Sequence, residues 1–97
     1  MIKAALDSEL TKIVDISKDF GAERVLLFGS CLEDVSKARD IDIAVSGVPA
    51  RKFFEYYAEV TTAVKENVDI IDLDDVKPYF RDCINREGKV LYGREAE

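Results

Sequence analysis

Histidine is missing from this chain altogether. Imidazole acid–base chemistry and histidine-bound zinc are therefore excluded. Cysteine occurs only at Cys31 and Cys83. Two are too few for a disulfide scaffold, and they fit reduced thiols in a cytoplasmic protein. No apolar run approaches the ~20 residues of a membrane span. The stretch Met1–Glu9 has acidic residues early and no long apolar segment, so no signal peptide is expected. Basic residues are also outnumbered, 14 Lys and Arg against 20 Asp and Glu, for a net charge of −6 and a pI near 4.7. Direct nucleic-acid binding needs a basic footprint and is not expected. The same acidity suits a carboxylate metal cluster or a basic protein partner. Internal repeats, linkers and low-complexity tracts are absent too.

The 97 residues fit one domain spanning 1–97, and 47% hydrophobic composition is enough for a small core. Ile2, Leu6, Leu10, Ile13 and Phe20 recur at helical spacing, with Ile16 or Ser17 between, and predict an amphipathic helix over 2–20. Gly21 is a natural stop. Val25 to Phe28 are continuously apolar, which predicts a central strand over 23–28 covered on both faces. Ser30-Cys31-Leu32-Glu33 has the capping-box pattern of a short helix over 31–36. A second strand is expected over 41–46, with Ile41, Ile43 and Val45 on a core face and Asp40, Asp42, Ala44 and Ser46 on the other. Pro49 suits the first turn of a helix over 50–66, and Asn67 its end. Phe53, Tyr57, Val60 and Val64 form that helix's apolar repeat, with the pairs Phe53-Phe54 and Tyr56-Tyr57 serving as core and flank. A third strand follows over 68–73 and a last helix over 76–87, with Val76, Phe80, Cys83 and Ile84 apolar. Asp72, Asp74 and Asp75 are expected to cap that helix, and Gly88 to stop it. Lys89 to Tyr92 add a short edge strand. The short connection makes the first two strands antiparallel neighbours, and the long one allows a crossover helix. The fold class is thus α+β, a small mixed β-sheet with packed helices in the order α-β-α-β-α-β-α.

The chemistry-bearing residues bracket the first two strands. Gly29 and Ser30 end an apolar run, and a glycine followed by a hydroxyl there leaves room for a phosphate. Ser30 as a helix cap is compatible with this, since a helix N-terminus is itself an anion site. After nine intervening residues come Asp40 and Asp42, at the i, i+2 spacing that sets two carboxylates on one strand face. Neighbouring carboxylates repel, a cation relieves the repulsion, and hard oxygen donors suit Mg²⁺. Phosphate and divalent metal together point to nucleotidyl transfer.

Phe28-Gly29-Ser30, Asp40-Ile41-Asp42 and Val68-Asp69-Ile70 resemble the signature of minimal nucleotidyltransferases, small members of the DNA polymerase beta-like superfamily. The order of elements agrees over nearly the whole chain, including the ending from Ile84 to Tyr92. The resemblance implies that Gly29 and Ser30 hold the β and γ phosphates of ATP or another nucleoside triphosphate. It implies that Asp40, Asp42 and Asp69 bind Mg²⁺, and that Asp69 acts as base toward the attacking hydroxyl. Two ions sharing a carboxylate could stabilise both the attacking and the leaving oxygen. Many such proteins are encoded beside a helical HEPN ribonuclease and serve as its antitoxin, by binding it or by transferring AMP to it. The elements use nearly all of the chain, so the acceptor is expected to be a separate protein.

The chain departs from the family pattern in one respect above all. Where a basic, Arg-Gly-containing segment usually follows the serine, Cys31, Leu32, Glu33 and Asp34 stand instead. Acids near a triphosphate oppose it by about 1 kcal/mol or more per close pair, and Lys37 and Arg39 are the cations available to offset them. Two functions follow. One is Mg²⁺-dependent transfer of a nucleoside monophosphate, AMP from ATP, to a hydroxyl of a partner protein. The alternative is a catalytically weak or inactive binding module that neutralises a HEPN ribonuclease by complex formation. Transfer to a small molecule such as an aminoglycoside is disfavoured by the lack of a second substrate domain.

Overall fold

The computed structural model describes the backbone of residues 3–28 and 40–93 and, within them, the side chains of 7–28 and 41–93. Its elements are α1 (Lys3–Asp19), β1 (Arg24–Phe28), β2 (Asp40–Ser46), α2 (Ala50–Ala63), β3 (Asn67–Asp72), α3 (Pro78–Glu87) and β4 (Lys89–Tyr92). The expected short helix over 31–36 lies outside the described residues. The strands form one mixed sheet in the order β3-β2-β1-β4. β1 is antiparallel to both β2 and β4, while β2 and β3 run parallel, joined by α2 as the crossover. This is the mixed sheet with packed helices that the apolar patterning predicts.

Strand alternation divides the core in two. Val25, Leu27, Ile41, Ile43, Val45, Val68 and Ile70 pack with Leu10 and Ile13 of α1 and Tyr56 and Val60 of α2. On the opposite face, Leu26 and Ala44 pack with Leu73 and with Ile84 of α3, flanked by Phe28, Ile71, Val76 and Val90. The second face of β2 is therefore not wholly given to acids, because α3 buries Ala44 completely. Among the described residues no helix is long and apolar enough to cross a membrane.

Several boundaries fall away from their sequence-based positions, each for a local reason. α2 ends at Ala63, short of Asn67, because Val64 turns extended and enters the core. Pro49 is the residue before α2 rather than a member of its first turn, with φ −58° and ψ 139°. The aromatic that α2 buries fully is Tyr56. Tyr57 is half-buried and reaches the Val68 carbonyl with its hydroxyl at 3.3 Å, and Phe54 is 86% exposed.

The acids ahead of α3 do not cap it. The helix starts at Pro78, whose missing N–H makes it a natural first residue, with Lys77 before it and no side-chain cap. The acids instead close turns. Asp72 Oδ1 accepts the Asp74 N–H at 2.9 Å, and Asp74 Oδ2 accepts the Gly47 N–H at 2.9 Å. Gly47 has φ +97°, and a Cβ there would lie 2.6 Å from the Glu23 nitrogen, so both conformation and space require glycine.

Glu9 is a buried charge the helical pattern hides, only 7% exposed. Its Oε2 accepts the Lys65 N–H at 2.7 Å and its Oε1 pairs with Lys12 Nζ at 3.0 Å, tying α1 to the end of α2. The Lys65 N–H, and then Lys12, hold the Glu9 carboxyl below its ordinary value of 4.5. A carboxyl lowered on folding contributes stability above its unfolded value and loses it as pH falls through the folded one. Glu9→Gln is therefore expected to cost about 1 kcal/mol at neutral pH. Below pH 4.5 the difference from the parent chain should shrink. Urea titrations across this range check it, and a difference that persists unchanged in acid would refute the role of the charge.

Candidate active site

Hydrogen-bond register sets the site. Reading across the sheet on the α3 side, Asp69 of β3 is the partner of Asp42 in β2, and Asp42 is the partner of Phe28 in β1. The next row across is Ile71, Ala44, Leu26 and Val90. α3 covers that second row with Ile84 and meets the first through Phe80, which lies against Phe28. Asp42 is half-buried and Asp69 exposed, where Ala44 is sealed.

Two carboxylates thus stand on neighbouring strands, whose backbones lie about 4.8 Å apart. Their repulsion is roughly 1 kcal/mol in a water-like setting and several times this where protein excludes water. A divalent cation between them relieves it, and carboxylate oxygens are the donors Mg²⁺ prefers. Asp40 opens β2 two residues before Asp42 and has Asn67 as its register partner. Its side chain lies outside the described residues. Gly29 and Ser30 also lie outside them, but the chain leaves β1 at Phe28, beside Asp42. Among the described residues no group of three or more Asp, Glu, Cys or His side chains converges as a metal site, so the described donors here are Asp42 and Asp69. Both fit a hard cation.

An aromatic border closes one side. The ring of Phe28 meets that of Phe80, from α3, at 6.3 Å between centroids and 85° between planes. The apolar repeat of the last helix assigns Phe80 to the core, yet 36% of its surface is open. Only the packing of α3 across the second row brings it to Phe28, the register partner of Asp42, and no local motif signals this.

The family model described as polymerase beta, nucleotidyltransferase, matches residues 11–97. The chain belongs to that family. Among solved structures, a chain of a toxin–antitoxin pair with AMP-PNP is 26% identical with a TM-score of 0.73, covering 89% of this chain and 74% of that one. A chain from a complex of a tri-AMPylated Shewanella oneidensis HEPN toxin with an MNT antitoxin is 25% identical with a TM-score of 0.70, covering 91% and 72%. A candidate minimal nucleotidyltransferase is 22% identical with a TM-score of 0.75, covering 91% and 94%, a likeness of fold. No curated protein sequence matches significantly. Family membership and these matches support a transferase with the polymerase beta-like minimal nucleotidyltransferase fold. Divalent metal is the usual need of that fold.

Proposed function

We propose that this chain transfers AMP from ATP, with Mg²⁺, to a hydroxyl of a HEPN-type partner protein, and acts as the antitoxin of such a pair. The observation that carries the proposal is the register pairing of Asp42 with Asp69 beside the end of β1, in a chain of the nucleotidyltransferase family. Asp40, Asp42 and Asp69 would hold the metal, two ions in this reading, and Gly29 and Ser30 the β and γ phosphates. Bound there, Mg²⁺ would supply charge stabilisation to the phosphoryl oxygens. The hydroxyl oxygen attacks the α-phosphorus, the bond to pyrophosphate breaks, and the hydroxyl proton passes to the Asp69 carboxylate.

The partner assignment is supported by the solved neighbours, which include a HEPN toxin bound to an MNT antitoxin, and by a net charge of −6, complementary to a basic RNA-cleaving protein. Masking without catalysis is the second reading, favoured by the acidic Cys31–Asp34 segment. Incubation of the chain with α-labelled ATP, Mg²⁺ and a HEPN-type partner distinguishes the two. Label on the partner is the expected result. A stable complex with no label, formed equally well without nucleotide, would overturn transfer in favour of masking.

A further inference from the structure

Phe80 is placed by helical spacing to be buried. It precedes Ile84 by one turn on the same side of α3, and Ile84 is 3% exposed against 36% for Phe80. The difference arises because Ile84 sits over the covered row while Phe80 overhangs its edge, meeting Phe28, the register partner of Asp42. Phe28 is itself only partly buried. Two partly open phenyl rings thus adjoin two carboxylates.

Carboxylates and phenyl rings favour unlike contacts. Their juxtaposition suits a ligand with two unlike ends, one a polyanion drawn to a cation at the acids and the other flat and apolar. A nucleotide has both. We propose that Phe28 and Phe80 form the wall on which the base of the bound nucleotide stacks, with Phe80 the residue that contributes most of the contact. This rests on the reading of Asp42 and Asp69 as the metal site. Stacking on an aromatic face is tolerant of base identity, because every base has a π-face. Neither phenyl ring carries a hydrogen-bonding group, so this wall alone would not separate ATP from GTP.

Titration calorimetry on the full chain with Mg²⁺ tests the wall, using ATP, GTP and inorganic tripolyphosphate as probes. Phe80→Ala and Phe80→Leu are expected to weaken ATP and GTP about tenfold and leave tripolyphosphate unchanged. Phe80→Tyr should restore nucleotide affinity to within about twofold of the parent, since the ring face returns. Phe80→Leu keeps apolar packing against Phe28, so its comparison with Phe80→Tyr stands even where the alanine variant folds poorly. Unchanged nucleotide affinity in Phe80→Leu overturns the wall, as does an equal loss for tripolyphosphate. Failure of the parent chain to bind either ATP or tripolyphosphate overturns the underlying site instead, and the wall with it.

Discussion

Asp42→Asn is expected to lower transfer of labelled AMP by about a thousandfold or more while the fold remains, because the change removes several kcal/mol of transition-state charge stabilisation. The substitution is isosteric and removes only the charge. Asp42 sits between Phe28 and Asp69 in the register and two residues from Asp40, so it neighbours both other acids of the proposed site. Asparagine there keeps a neutral oxygen donor and forfeits the charge that draws a cation. Asp69→Asn should be comparably damaging, because in the proposed role it removes both a donor and the proton acceptor. The check is label incorporation together with circular dichroism, whose spectrum and melting profile should match the parent within a few degrees. Undiminished labelling in folded Asp42→Asn would remove the assigned site.

The largest effect on stability is expected at Tyr56, fully buried between α2, α1 and the sheet. Its ring packs against Phe20 at 5.5 Å and Phe53 at 5.7 Å between centroids. Its hydroxyl shares a 2.7 Å hydrogen bond with Ser17 Oγ, which also donates to the Ile13 carbonyl at 2.6 Å. Tyr56→Ala should cost about 3–5 kcal/mol, as buried aromatic truncations do. For a domain of this size that lowers Tm by roughly 15 °C or more. Tyr56→Phe keeps the packing and loses one hydrogen bond, for about 1 kcal/mol. Ser17 retains the Ile13 carbonyl, so no buried hydroxyl is orphaned.

Alkaline pH provides a second readout at this position. Burial pushes the Tyr56 phenol above its ordinary value of 10.0, with the Ser17 hydrogen bond opposing. A group raised on folding contributes stability below its unfolded value and loses it as pH climbs through the folded one. The parent chain should therefore weaken above pH 10 more steeply than Tyr56→Phe. Thermal melts on both sides of that pH decide it, and identical alkaline limbs would refute the role of the phenol.

Why Tyr56 and not Tyr57 enters the core is a question of helix phase, and phase is what a short amphipathic repeat leaves loose. Phe53, Tyr57, Val60 and Val64 make a sound apolar repeat, yet Ser17 on α1 selects Tyr56 by offering its hydroxyl a partner. Element order and type are legible because strand alternation and helical spacing are local properties. The same holds for Asp40 and Asp42, whose i, i+2 spacing needs only a strand. That Asp69 arrives as the register partner of Asp42 depends on the length and packing of the α2 crossover, which no window of sequence contains. The acids at Asp72, Asp74 and Asp75 read as a helix cap by composition, but Pro78 sets the helix start and leaves them to the turn. Phe80 reads as core because its spacing is right, yet it meets Phe28 at the end of β1 rather than the row under Ile84.

The turn that Gly47 makes gives the sheet two unlike poles. At one, Glu23 N–H binds the Ser46 carbonyl, Leu73 N–H binds the Val45 carbonyl, and Asp74 clasps Gly47. At the other stand Asp42, Asp69 and Phe28, with Phe80 of α3 set against Phe28. Damage at the clasped pole should be felt as lost cohesion, and damage at the acidic pole as lost turnover. A mutational survey scoring both would separate into two territories along the strands, and the molecule could be hardened at one without being slowed at the other.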